Sequence, residues 1–370
     1  MARSAASPDV RSVSTGEFFL VGALALAGAL AIKAPTLAGL TFEGDFGFYL
    51  RNASWFALAP AIAYLAWKRG APRRATLVAA SLVAASAVAA NAYPFELLGQ
   101  TEVLTALHLP LLLWLAVGIT HAGSVTRNHD ARMAFFRFSG EWLTYMSIFA
   151  AGGVLLGGLT LGSFEFVDID ASAFVTEWLL PCGAAGAPVV AAFLVQTQRE
   201  GVAAITRPIA QVLVSLFAVM MMAIGAVTVW PQTEVSLDRD AMFGVVALLV
   251  FILALLIYSV AARGPSKRVH FIDRVQFTLI VCAWVMATLV GATVLARIAE
   301  WGWTPNRVAI LGVSGILVAN YFWTSWIGHV MLHLNCPFSR LDRWQTWFVW
   351  VYAGWAAFVV IALPPMFSYA

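Results

Sequence analysis

Charge is what this chain has least of. Only 11% of its 370 residues are Asp, Glu, Lys or Arg, where a soluble globular domain carries about 25%. With 61% hydrophobic residues and a mean hydropathy of +0.83, that deficit excludes a soluble globular protein. The net charge is only +3 and long basic runs are missing, so nothing marks a nucleic-acid partner. Cysteine is scarce as well. Cys182, Cys282 and Cys336 make no disulfide framework, and buried free thiols are the expected state. The chain also lacks a nucleotide-binding glycine loop, an H-E-x-x-H motif and a G-x-S-x-G elbow. ATP-driven transport by this chain alone and the familiar hydrolases lose support, and no cofactor is predicted. The strand alternation of outer-membrane barrels is absent too.

What is present is a series of apolar runs of helix-spanning length. They cover Phe18 to Ile32, Gly47 to Trp67, Ala75 to Ala92, Val103 to Thr120, Gly140 to Gly162 and Phe174 to Gln196. Further runs cover Ile205 to Trp230, Ala241 to Ala262, Val275 to Ala299, Arg307 to His333 and Thr346 to Phe367. The expected fold is an all-α polytopic transmembrane bundle of about eleven spanning helices. Of these the first is the shortest, unless it continues past Lys33 and Pro35 to Leu40. Residues 1–16 form a polar, Ser-rich tail, and residues 17–370 are expected to form a single membrane domain whose first helix is retained.

The distribution of basic residues tests that count independently of hydropathy. With the N-terminus inside and the C-terminus outside, seventeen of the 22 Lys and Arg fall in inner segments. Only Lys33, Arg51, Arg239, Arg297 and Arg307 are left for the other face, as cytoplasmic loops require. The longest connection, His121 to Gly140, interleaves Met133, Phe135, Phe136 and Phe138 with Arg132 and Arg137. It suits either a short interfacial segment or a basic lead-in to the fifth helix. Arg137 and Glu141 at that helix start suit anchoring. Tryptophans near helix ends suit interface belts.

The sixth apolar run carries the sharpest feature, Leu180-Pro-Cys-Gly-Ala-Ala-Gly-Ala-Pro188. Pro181 and Pro188 each remove a helix donor, so the carbonyls four residues upstream, at Glu177 and Ala184, need other partners. Gly183 and Gly186 permit close approach of a neighbour. Broken helices at bilayer depth are where transporters commonly hold cargo, although a small-residue packing face with a proline kink accounts for the same residues. Glu177, Pro181, Gly183, Gly186 and Pro188 are therefore ligand or pathway candidates. His108 and Asn320, polar residues deep in the fourth and tenth helices, are the expected partners if those helices lie beside the sixth, and each also suits a hydrogen-bonded clamp. Lys33, near the outer end of the first helix, and Glu177 are charges close to span ends. His329 and His333 share a helix face near Cys336, which makes them weak metal candidates, and no metal site is predicted.

Asp273-Arg-Val-Gln276, the stretch Ala296-Arg-Ile-Ala-Glu-Trp-Gly-Trp-Thr-Pro-Asn-Arg307 and Val308-Ala-Ile-Leu-Gly312 resemble an uncharacterised family of bacterial multi-pass inner-membrane proteins. It is the family catalogued as domain of unknown function 4153. Gly140-Glu-Trp142 and the Gly183 to Pro188 stretch are similar to it as well, so the resemblance spans about residues 140–330. It implies a bacterial inner-membrane location and a permease-like label, and it supplies no reaction or substrate. Without the family, Thr304 is placed to cap the tenth helix, Pro305 to open it, and Arg297 to pair with Glu300.

The functional expectation is a permease-like protein that moves a small solute or ion by way of a broken sixth helix, with lipid around it and a possible membrane-protein partner. The alternative is a non-catalytic accessory subunit of a larger membrane complex.

Overall fold

A computed structural model of the chain describes residues 14–123, 129–166, 168–229, 239–262, 271–334 and 339–370. Among them every regular element is helical. In chain order these are α1 (Thr15–Lys33), a 3-10 turn (Ala34–Ala38), α2 (Phe46–Lys68), α3 (Arg73–Ala92), α4 (Gln100–Ala122), α5 (His129–Glu165), a π-turn (Phe174–Leu179) and α6 (Leu180–Thr197). There follow α7 (Arg199–Val229), α8 (Arg239–Ala262), α9 (Phe271–Trp301), α10 (Pro305–Leu334), α11 (Ser339–Ala357), a second π-turn (Phe358–Ala362) and α12 (Leu363–Met366). Among the described residues ten spans are long and apolar enough to cross a membrane. The chain is an all-α, multi-pass integral membrane protein.

The helix that falls short in apolarity is the second, not the first. α1 starts at Thr15, capped by the Ser14 hydroxyl on the Glu17 amide at 3.2 Å, and its span runs on to Ala38. α2 is diluted by Arg51, Asn52, Ser54 and Pro60, yet it runs back along the whole of α1. Lys68 at its end bonds Glu17 at the start of α1, and Phe42 just before it lies under Lys33 at the end of α1. A helix enclosed by neighbours needs less apolar surface than one facing lipid.

α5 is 37 residues long, about 55 Å at 1.5 Å per residue, far more than the ~30 Å hydrocarbon core. Its extra turns are residues 129–139, where a connection was expected. Phe135, Phe136 and Phe138 are buried while Arg137 is exposed, so this piece is the lead-in to the fifth helix and not a separate interfacial segment.

The chain packs as two compact units. One comprises Met1–Ala87, Leu113–Thr126 and Glu141–Val202; the other comprises Val88–Leu112, Arg127–Gly140 and Ala203–Ala370. In the first unit α1, α2 and α6 pack on one another. They approach closely at Gly28, where a Cβ would stand 3.1 Å from the Ala185 carbonyl oxygen and 3.2 Å from that of Phe56. Phe56 lies four residues before Pro60, so its carbonyl has no helix donor and faces the bare Cα of Gly28.

In the second unit Leu249 and Ile252 of α8, Leu279 and Ala283 of α9, and Leu317 and Tyr321 of α10 form a buried core. The Tyr321 hydroxyl donates to the Leu249 carbonyl at 2.6 Å. α10 and α11 are joined through buried Asn320, Thr324 and Gln345, with the Gln345 amide donating to Thr324 Oγ1 at 2.8 Å. Thr304 caps α10 on the Arg307 amide at 3.4 Å and Pro305 opens that helix. The Arg307 guanidinium donates to the carbonyls of Trp301 and Gly302 at 3.0 and 2.7 Å. The last residues fold onto the α3–α4 connection, where Ala370 O accepts from the Thr101 amide at 2.8 Å and Tyr369 O from the Glu96 amide at 3.1 Å.

Candidate functional site

The sixth helix is irregular, but upstream of where its prolines pointed. From Leu180 to Thr197 it is α-helical, with Pro181 in its first turn and Pro188 accommodated inside. The irregularity is the π-turn at Phe174–Leu179, where the Leu180 amide reaches back to the Val175 carbonyl. The physical reason is Pro181. Without an amide there, the carbonyl of Glu177 has no α-helical donor, and widening the preceding turn moves the fault into the segment before the proline.

That carbonyl takes a side-chain donor from α1. Lys33 Nζ donates to Glu177 O at 3.0 Å, and the ammonium lies 4.3 Å from the Trp178 ring centroid and 4.8 Å from that of Phe42. Lys33 is only 7% exposed. It is held in the last turn of α1, where a cation complements the carbonyl end of the helix. An ammonium carries three donors. One is spent on Glu177 O, the ring faces supply cation–π attraction, and among the described residues no carboxylate pairs with it. Nearby, Cys182 Sγ lies 3.8 Å from the Ala29 carbonyl oxygen. At the start of the segment, hydrogen bonds from Ser172, side chain first and then its amide at 2.8 Å, hold the Asp170 carboxyl below its ordinary value.

The opposite end of α1 holds the complementary charge. Glu17, in its first turn, is 1% exposed; Oε2 pairs with Lys68 Nζ at 2.7 Å and Oε1 accepts from the Tyr64 hydroxyl at 2.8 Å. Arg69 Nε then donates to the His121 carbonyl at 3.1 Å. Around the middle of α6, Trp142 Nε1 donates to the Pro188 carbonyl at 2.9 Å.

The other sequence candidates are distributed differently from expectation. Gly183 faces open space, so no neighbour approaches it; Gly186 lies against Ala25 of α1, 3.4 Å from a Cβ position, a looser contact than that of Gly28 with α2 and α6. Asn320 and His108 are not the partners of the Glu177 carbonyl. Asn320 belongs to the Gln345 and Thr324 clamp, and His108 Nδ1 bonds the Leu104 carbonyl of its own helix at 2.8 Å. His329 is exposed, Cys336 lies outside the described residues, and among the described residues no group of three His, Cys, Asp or Glu is placed to hold a metal. Arg137 sends both Nε and Nη2 to the Ala261 carbonyl, at 3.0 and 2.7 Å, and Glu141 is buried.

Sequence reasoning noticed Lys33 as a charge near a span end but did not join it to Glu177, which lies 144 residues away. Glu17 was missed because it abuts the polar tail. The signal available for it was an acid in the first turn of a span whose neighbour ends in Lys68.

The fold and these polar contacts define a multi-pass integral membrane protein with a charged, irregular turn at one end of a three-helix cluster. No family model matches the chain, and no curated protein or solved structure is similar to it.

Proposed function

We propose that the protein is a permease-like carrier of a bacterial inner membrane and that a small solute or ion with an anionic group meets it at the π-turn before α6. The observation that carries this reading is Lys33, a buried ammonium with one donor on the Glu177 carbonyl and, among the described residues, no carboxylate paired with it. Burying a charge is costly, and intramembrane cations without an acidic partner commonly mark pathways. The π-turn adds to the argument, since such turns are frequent at functional sites. Kinship with the inner-membrane family named above is part of the same proposal, resting on the stretches that resemble it.

The test is thermal unfolding of the purified chain in mild detergent with chloride, acetate or succinate added. The expected result is stabilisation by at least one of these anions, lost in Lys33→Met and retained in part in Lys33→Arg, with uptake of that anion into proteoliposomes following the same order. Absence of any anion effect, together with a stoichiometric protein partner in the same preparation, would replace this reading with that of an accessory subunit.

A further inference from the structure

A second cationic feature lies in the other unit. The first turns of α5 and α11 and one side of α10 line an open cavity of about 490 Å³, a volume within the range of small-molecule sites. Arg132, Arg340 and Arg343 all line it, and among the described residues no carboxylate does; Asp342, in the same turn as the last two, is not part of the lining. Arg340 and Arg343 stand three apart on one face of α11, both exposed. Among the described residues neither guanidinium has a hydrogen-bond or ion-pair partner. The wall is held by His129, whose Nδ1 donates to Thr346 Oγ1 at 3.0 Å while that hydroxyl is spent on the carbonyls of Asp342 and Arg343.

The remaining wall is tryptophan. Trp344 lies 5.6 Å from Trp323 and stacks on Trp347 at 6.1 Å between ring centroids. Trp323 and Trp347 are 45% and 57% exposed. Arg340 and Arg343, two like charges on one face of α11, repel unless an anion joins them, and guanidinium groups favour the paired oxygens of phosphate. Exposed indoles beside them suit the boundary between headgroup and acyl chain. Basic pockets at the cytoplasmic ends of transmembrane helices suit anionic headgroups, and positive-inside counting puts the starts of α5 and α11 on that side.

We propose that this basin binds the phosphate of an anionic phospholipid from the inner leaflet, with Arg132, Arg340 and Arg343 on the headgroup and Trp323 and Trp347 against the chains. A soluble phosphate would use the arginines and leave the rings idle, which is why the lipid is the favoured source.

The experiment takes the full chain in detergent micelles containing equal amounts of phosphatidylcholine and phosphatidylglycerol, and counts retained lipid by native mass spectrometry. Wild type is expected to favour phosphatidylglycerol by roughly thirtyfold, given two interfacial arginines at about 1 kcal/mol each. Arg340→Gln with Arg343→Gln should bring the ratio near parity. Arg73→Gln with Arg74→Gln removes the same charge from exposed positions outside the cavity and should leave the ratio unchanged. Equal retention of both lipids by wild type, an unchanged ratio in the α11 variant, or an equal loss in both variants overturns the proposal. A parallel arm adds inorganic phosphate to micelles of phosphatidylcholine alone. Stabilisation there that equals the effect of phosphatidylglycerol and disappears in the α11 variant assigns the basin to a soluble anion and overturns the lipid.

Discussion

At the residue scale the two ends of α1 present different problems in burying charge. Glu17 and Lys68 are paired at 2.7 Å with almost no solvent access, so removing one partner leaves an uncompensated charge. Glu17→Gln is expected to cost about 3–5 kcal/mol, whereas Glu17→Gln with Lys68→Met is expected to recover most of it. Denaturant unfolding of the four proteins of that double-mutant cycle in one detergent provides the measurement, and additive losses would contradict the pairing. Lys33 is the reverse case, with its charge met by a carbonyl and two rings. Lys33→Met removes a buried cation but orphans the Glu177 carbonyl, a loss of about 1–3 kcal/mol for the acceptor that relief of the cation's desolvation partly offsets. A net change smaller than that for Glu17→Gln is expected in the same unfolding experiment.

At the element scale one device appears twice, since each π-turn precedes proline and leaves a carbonyl that a side chain satisfies. Lys33 serves the carbonyl four residues before Pro181, and the Tyr93 hydroxyl donates at 2.9 Å to Ile361, four residues before Pro365. Tyr93→Phe is accordingly expected to cost about 1 kcal/mol in the native background and nearly nothing beside Pro365→Ala, where the main chain supplies the donor. Gly28→Leu is expected to separate α1 from α2 and α6 and to lower the unfolding midpoint steeply, while Gly183→Leu, facing open space, should be tolerated. Thermal unfolding of the two variants side by side checks the order.

These elements also show what was legible in the sequence. Helix existence follows from hydropathy, and the Thr304-Pro305 start of α10 from capping chemistry, whereas α2 counts as a crossing by its contact with α1. The consequence of Pro181 was legible at Glu177, because loss of an amide acts at a fixed distance along the helix. What could not be read was which helix answers it, because Lys33, Asn320 and His108 are equally polar until packing brings one of them to the carbonyl. The glycine of close approach was also hidden. Gly183 and Gly186 stand in a conspicuous cluster, whereas Gly28 shares an ordinary apolar run with Gly22, which meets nothing, and only the neighbouring backbones distinguish them.

For the whole molecule, hydrogen bonds between helix ends test the topology within each unit. Glu17 with Lys68, and Arg69 with His121, join ends that eleven crossings put on the inner side; Lys33 with Glu177 joins two outer ends. In the other unit His129 with Thr346 and Arg137 with Ala261 are inner pairs, while Thr101 with Ala370 and Asn306 with Gln100 are outer ones. Removing α2 from the count would put Glu17 and Lys68 on opposite faces, which a 2.7 Å contact forbids. Reporter fusions after Arg74 and after Asp170 are therefore expected on opposite faces, the first cytoplasmic; the same face for both would mean that a crossing is miscounted.

The polarity of α2 bears on how the chain enters the membrane during synthesis. With Arg51, Asn52 and Pro60 in its length, α2 partitions into lipid poorly by itself, and half of its shelter, α6, leaves the ribosome only after more than a hundred further residues. At about 5–20 residues per second that interval lasts on the order of ten seconds. Throughout it α2 has α1 as its nascent partner, held by the salt bridge at one end and by the Lys33 and Phe42 contact at the other. The pair thus has the character of a helical hairpin delivered to the insertion machinery as one unit, whose unfinished face is closed only when α6 arrives.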